Sequence, residues 1–203
     1  MTDQPTTATN TITRDQLALA PLASRARAQL ARLLVDPTGV VATDGTMLGR
    51  IDHDPAALTR ALGEEKAPIL TCTIPIATTQ LMLQLARSAR HQGPYRLALV
   101  GEATVSAQLL MAYNTIAEFR FPLETDFPDW RAVVPEAPTS IPGIRVAVEL
   151  HSKMAALFAA VRAKSVRLTF YGDVHPVRYE GRLLSGAAVW GLVMPIRAEE
   201  DRP

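Results

Sequence analysis

Phe127-Pro128-Asp129-Trp130-Arg131-Ala132-Val133-Val134-Pro135 decides how the rest of the chain is read. Two aromatic residues flank a proline and an acid, an arginine follows, and a short apolar run ends at a second proline. On its own this is a strand end running into a turn. Beyond it lies a Pro-rich link, residues 135–142, with the composition of a boundary between structural units. The chain therefore divides at this point, and each side is read separately.

Upstream, one helix followed by short strands occurs twice. A helical stretch is expected over residues 15–28, kinked or restarted at Pro21. A strand at 29–35 leads through the turn Asp36-Pro37-Thr38-Gly39 into a second strand at 40–43, which Gly45 breaks. A charged connector, 54–67, precedes a strand at 69–75. Residues 79–91 read as an amphipathic helix. Leu81, Met82, Leu85 and Ala89 share one face, and Gln84, Arg87, Arg90 and His91 the other. Gln92-Gly93-Pro94 ends it. Strands follow at 95–100, 104–111 and 117–122, the first two joined at Gly101-Glu102.

Downstream the same rhythm appears once. A strand at 144–148 precedes a helix at 152–164, with Met154, Leu157, Phe158 and Val161 on one side. A hairpin of strands 166–170 and 174–179 turns at Gly172-Asp173, and a last strand covers 187–196. Helices that bury one face on antiparallel sheets make the fold α+β. The expected division is a disordered tail at 1–10, two similar halves at 11–135, a linker at 136–143, one further half at 144–197 and a tail at 198–203.

Composition narrows the function classes. The chain has 203 residues, 48% of them hydrophobic, enough for one large domain or two small ones sharing a core. The 21 Lys and Arg nearly cancel the 20 Asp and Glu, so net charge does not favour DNA and any basic surface must come from placement. A single cysteine, Cys72, excludes an internal disulfide and a cysteine zinc cluster. It reads as a small buried hydrophobe. The Thr-rich start is not a signal peptide, and no run approaches the roughly 18 apolar residues that span a bilayer. A soluble cytoplasmic protein that does not engage membranes is the expectation.

Catalytic signals are weak. His53, His91, His151 and His175 show no metal-ligand spacing. Asp44 and His53 form a conceivable acid–base pair, but each lies in a turn, where solvated polar residues are the rule. Gly39 and Gly45 fit neither phosphate-binding fingerprint. No cofactor, no metal and no enzymatic activity are expected.

Two further segments complete the pattern: Val41-Ala42-Thr43-Asp44-Gly45-Thr46-Met47-Leu48, and Gly191-Leu192-Val193-Met194-Pro195-Ile196-Arg197. In this order the three segments resemble the bacterial sliding clamp, the β subunit of the replicative DNA polymerase. That family has an Ala-Thr-Asp-Gly turn in its middle domain, a Phe-Pro-Asp-aromatic-Arg segment closing it, and a last strand ending Met-Pro-aliphatic-Arg. The resemblance spans about 11–197. The family has three domains of two halves each. Here the first domain has no counterpart, residues 11–135 resemble the middle domain, and 143–197 resemble only the second half of the last. Thr46 and Met47 replace the family's usual His and Arg.

The resemblance implies a DNA-clamp-like α+β fold and a processivity factor of DNA replication. It implies a pocket for hydrophobic partner peptides lined by Leu30, Thr43, Gly45, Met47, Leu48, Pro135, Leu192, Val193, Met194, Pro195, Ile196 and Arg197. Implied partners are a DNA polymerase or other proteins with clamp-binding motifs, a clamp loader, and double-stranded DNA held without sequence preference. DNA-facing candidates are Arg25, Arg27, Arg87, Arg90, Lys153 and Lys164, with Arg162 beside them. Three halves per chain against twelve in the family's ring point to a homo-oligomer, and arithmetic suggests a homotetramer. Two other readings stand beside this one: a clamp-like adaptor or decoy that binds clamp-binding peptides without encircling DNA, and a small α+β enzyme.

Overall fold

The computed structural model describes residues 8–24, 26–54, 70–88, 95–111, 114–135, 146–172 and 175–195. Eleven strands among the described residues form two antiparallel sheets. The first sheet runs β1 (Thr9–Ile12), β6 (Tyr95–Val100), β7 (Thr104–Met111), β8 (Asn114–Pro122). The second has seven strands, in the order β5 (Cys72–Pro75), β2 (Arg32–Asp36), β3 (Gly39–Thr43), β4 (Met47–Asp52), β11 (Ala188–Val193), β10 (Val177–Arg182), β9 (Arg167–Thr169). The helices are α1 (Arg14–Leu17), α2 (Ile76–Ser88) and α3 (Val148–Ala160).

The strands at 95–100 and 104–111 appear as expected, joined by a turn with Gly101 at φ +67°. Elsewhere local chemistry moved the boundaries. Thr9 and Asn10, expected in a tail, are buried strand residues held by β6 and by Leu70. The first helix is one turn, not a stretch to residue 28. Thr13 and Gln16 close it with a capping box, and Pro21, which has no N–H to donate, sits in a 3-10 turn at Ala20–Leu22. Residues 47–52, left unassigned by the sequence reading, are strand β4.

The second helix begins three residues early, and this changes its phase. Thr79, Met82 and Ala86 are its buried line, while Leu81, placed on the buried face by the sequence reading, is exposed. Ala89 and Arg90 lie outside the described residues. Val148, expected to end a strand, starts α3, whose buried residues Met154, Leu157 and Phe158 match the expected stripe.

One apolar core joins Tyr95, Leu97, Val105 and Leu109 of the first sheet to Leu33, Val35, Val40 and Ile51 of the second, and takes in Met82, Leu157 and Phe158 from the helices. The sheet's two parts, far apart in sequence, join at β4 and β11. Gly49 pairs with Gly191 there. A Cβ on Gly49 would stand 2.3 Å from Leu22 Cδ1 and 3.3 Å from Leu157 Cδ2. One on Gly191 would stand 2.6 Å from Met154 Sδ. These two glycines let α3 and the Leu19–Leu22 turn lie directly on the seam.

Candidate functional site

The β4–β11 seam brings the Thr43–Leu48 turn beside the end of the last strand. In register, Thr43 faces Leu48 and Leu48 faces Leu192. These three share the sheet face opposite the main core, since Leu48 and Leu192 belong to a separate apolar cluster with Leu34, Val41, Trp130 and Trp190. Met47 and Val193, one residue along, pair with each other and point the other way, into the main core. Strand alternation thus splits the sequence-predicted pocket residues between two faces. Met47 is a core residue here and not a wall beside Leu48.

The turn is built by side-chain caps. Asp44 accepts from the N–H groups of Thr46 (2.8 Å) and Met47 (2.9 Å). Thr43 Oγ1 donates to the Met47 carbonyl (2.6 Å) and accepts from the Gly45 N–H (3.0 Å). Gly45 has φ +92°, and a Cβ there would meet Arg27 Nη1 at 2.7 Å and Leu30 Cδ1 at 3.6 Å. Glycine therefore permits both the turn and its contact with Leu30. Met194 donates its N–H to the Thr46 carbonyl (3.3 Å), which carries the pairing one residue past β11. Met194 is 41% exposed, whereas Leu30, Leu48 and Leu192 are each under 8%. Pro135 and Pro195 are half-buried, and Ile196 and Arg197 lie outside the described residues.

The Phe127–Val134 segment covers the floor. Phe127, Trp130 and Val134 pack on the outer cluster. Trp130 and Trp190 approach to 5.9 Å between ring centroids. Arg50, which pairs with Trp190 across the seam, lies 4.8 Å from the Trp130 ring and 5.8 Å from Trp190. Arg131 lies 4.3 Å over Trp130 and Arg178 4.9 Å over Trp190. Each such cation–ring contact is worth about 0.5–1 kcal/mol at exposed sites and more when dry. Sequence reading missed Trp190, Arg50 and Arg178 as a group. The available signal was that the chain has only two tryptophans, both in the motif segments or adjoining them.

Asp36 fixes this cover to the sheet. Its carboxylate accepts from the N–H groups of Thr38 (2.8 Å) and Gly39 (3.0 Å) and pairs with Arg131 (2.8 Å). Burial would push its carboxyl up, but the Thr38 and Arg131 hydrogen bonds outweigh that and hold it below the ordinary 3.8. The Asp36 backbone carbonyl faces the opposite way and accepts from His53 Nε2 (2.9 Å), which leaves Nδ1 to accept from Gln16 Nε2 (3.1 Å). Burial holds His53 below its ordinary 6.5, so it is neutral at pH 7. His53 and Asp44 are each engaged in separate structural networks, which removes the acid–base pairing considered from the sequence.

Of the described cationic candidates, Arg87 and Lys164 line two clefts that share Asp52, Leu183 and Leu184, and Arg27 and Lys153 line neither. Arg87 lines a cleft of about 660 Å³ with Arg14 and Arg162, beside Asp15, Asp52 and Asp54. Arg162 occupies the left-handed region (φ 57°), where it closes the end of α3. Arg27 lies against Gly45 at the turn. Lys153 pairs with Glu149 (2.7 Å), and Asp44 also stabilises its charge. Lys164 lines a second cleft with Arg167, Arg178 and Arg182. Arg25 and Arg90 lie outside the described residues. No group of three or more metal-ligating side chains occurs among the described residues, and no described helix is long and apolar enough to cross a membrane.

No protein-family model matches the chain, and no curated protein sequence matches it. Solved structures do. The DNA polymerase III β subunit of Thermotoga maritima superposes with TM-score 0.65 at 12% identity, over 97% of this chain and 67% of that one. The sliding clamp of Pseudomonas aeruginosa bound to griselimycin gives 0.63 at 14% identity, over 97% and 67%. The PCNA of A. fulgidus, bound to the C-terminal region of FEN-1, gives 0.50 at 14% identity, over 93% and 98%. The chain thus has the α+β fold of sliding clamps, at about two thirds of the bacterial clamps' length.

Proposed function

We propose that this protein is a clamp-type binding protein that docks short hydrophobic peptides at the β4–β11 seam and encircles double-stranded DNA as a homo-oligomeric ring. One observation carries the reading. The seam sets Thr43, Leu48 and Leu192 in one row, with Leu30 against Gly45 and the exposed Met194 tied by its N–H to the Thr46 carbonyl of the same turn. Two parts of the chain more than a hundred residues apart meet there to form one apolar step with an exposed, flexible methionine. Met adapts to varied partners, and the buried leucines of the same seam are held rigidly in the sheet. Two neighbours of the same fold point in this direction: one is bound to griselimycin, the other to the C-terminal region of FEN-1. The partners proposed are a DNA polymerase and other proteins bearing clamp-binding motifs, loaded with a clamp loader's help.

The test is a titration with a short peptide containing Leu and Phe. The Met194→Ala, Ile196→Ala variant is expected to stay folded and to bind about thirtyfold more weakly, the equivalent of about 2 kcal/mol for a truncated anchor. Absence of wild-type binding at high micromolar peptide overturns the pocket. Unfolding of the variant would show these residues to be core.

A second reading is an adaptor that binds such peptides without encircling DNA. It is favoured by α3, whose exposed face is alanine-rich and whose Lys153 is paired with Glu149. Retention on circular duplex DNA separates the two. Arg87→Glu with Arg90→Glu is expected to abolish retention by a ring, steeply so at higher salt.

A further inference from the structure

One carboxylate stands among three arginines at the far end of the seven-stranded sheet. Arg178, Glu180 and Arg182 alternate onto one face of β10. Across the register Glu180 faces Arg167 on β9 and Trp190 on β11. Glu180 pairs with Arg178 alone (2.9 Å). Arg178 also rests 4.9 Å over the Trp190 ring, and its Nε makes no hydrogen bond among the described residues. Gathering like charges in this way costs free energy in the empty protein, and a bound anion returns it.

These residues border the second cleft, whose volume of about 670 Å³ lies within the roughly 300–1,000 Å³ of small-molecule sites. Lys164 joins them from the loop after α3. Gly181 lets that loop come close: a Cβ there would stand 2.9 Å from the Ser165 carbonyl oxygen and 3.0 Å from Phe158 Cε1. Arg182 is aimed by its hairpin, donating from Nη1 to the Gly186 carbonyl (3.2 Å). Both acids on the cleft are already neutralised, Glu180 by Arg178 and Asp52 by Arg50 (2.6 Å). Lys164, Arg167 and Arg182 are left with no ion pair among the described residues.

We infer that this cleft binds a free oligophosphate, a chain of three or more linked phosphates carried by a nucleoside triphosphate or by inorganic polyphosphate. The inference goes beyond the ring and the peptide seam and depends on neither. Charge sets the ligand class: three unpaired cations on one cleft match several negative charges held close together, which a single carboxylate or orthophosphate does not supply. The planar guanidinium forks of Arg167 and Arg182 suit phosphate oxygens, which accept two parallel N–H bonds, and Lys164 adds a point charge. A duplex is a poorer match. It takes cations strung along a surface, one for each phosphate. Here they converge from the loop after α3, from β9 and from β10 on one cleft, and the arginines share the sheet face of Trp190, opposite the main core that takes in α3. Lys164 thereby passes from the DNA-facing candidates to this cleft.

Titration calorimetry at fixed ionic strength tests this, with inorganic tripolyphosphate as the probe and orthophosphate, ATP and a short DNA duplex in parallel arms. Tripolyphosphate is expected to bind, and orthophosphate to bind at least about tenfold more weakly. Arg167→Gln and Arg182→Gln, checked by thermal melt, should each lose about tenfold in tripolyphosphate affinity, because each removes one charged hydrogen-bonding partner. Lys164→Gln, at an exposed loop position, should move affinity the same way. Arg96→Gln, at an exposed arginine of the other sheet, should bind as the wild type does. Equal affinity for tripolyphosphate and ATP assigns the site to the phosphate chain alone, and tighter ATP assigns it to a nucleotide; both support the cleft. No binding of either at millimolar concentration overturns the inference, as does a loss in Arg96→Gln equal to that in the cleft variants. Duplex binding through Lys164, Arg167 and Arg182 with no binding of tripolyphosphate makes this a nucleic-acid surface and overturns it too. A tripolyphosphate affinity that falls as protein concentration rises means that a second copy fills the cleft, which also overturns it.

Discussion

The β4–β11 seam has two faces of opposite character. Inside, Gly49 and Gly191 lie under Leu22, Met154 and Leu157 with no room for a methyl group. Outside, Leu48 and Leu192 lie under a cover of alternating tryptophan and arginine tied down by Asp36. The inner face holds the last segment to the first by apolar burial at close fit, and close fit tolerates little. The outer face is held by cation–ring contacts and hydrogen bonds, each weaker and each able to re-form around a ligand. A binding surface fits the second face and not the first.

The comparison breaks most sharply at Gly49. Gly49→Val places branched carbons against Leu22 and Leu19, with backbone β-sheet on either side. A loss of about 3 kcal/mol is expected, read as a lower urea midpoint. Met194→Leu at the rim, by contrast, should leave the midpoint unchanged. If Gly49→Val melts like the wild type, the inner face is not the rigid one.

Arg131→Gln probes the outer face. It removes the ion pair to Asp36 and the stacking on Trp130. Arg131 is more than half exposed, which screens the pair, so about 1 kcal/mol is expected at pH 7. The pH dependence is the sharper readout. The folded carboxyl of Asp36 is held below its ordinary 3.8, so its contribution is full above that value and is lost as pH falls through the lower, folded one. In Arg131→Gln this loss should shrink, with acid unfolding less steep below about pH 4. An unchanged acid limb would mean that Thr38 and Gly39 alone hold the carboxylate.

Much of this architecture was legible in the sequence, and the remainder was not for identifiable reasons. Strands β6 and β7 were readable because glycine marks their turn and apolar residues fill them. The inward stripe of α3 was readable because Met154, Leu157 and Phe158 recur at helical spacing. In α2 the leucines misled: Leu81 is exposed, while Thr79, which donates to the Pro75 carbonyl, is fully buried. β4 was missed because glycine and arginine interrupt its apolar pattern. Both have long-range reasons, since Gly49 fits under α3 and Arg50 fits between Trp130 and Trp190. The pocket residues were named as one set because motif resemblance carries no face; only the register showed that Met47 and Val193 turn inward.

The smallest expected effect separates the two faces at a single residue. Asp36 sends its carboxylate to Arg131 outside and its carbonyl to His53 inside. His53 is held neutral by burial, with a folded value below its ordinary 6.5. The folded state therefore binds fewer protons than the unfolded one between those two values. Stability is full above about 6.5 and declines as pH falls through it toward the folded value, by at most about 1.4 kcal/mol per pH unit. His53→Gln keeps one donor and one acceptor near Gln16 and the Asp36 carbonyl but cannot be protonated. Urea midpoints at pH 7.5 and 5.5 should differ less for His53→Gln than for the wild type, while Arg131→Gln should match the wild type over this range. If Arg131→Gln flattens the same window, the two faces are coupled through Asp36 and cannot act as independent holdfasts.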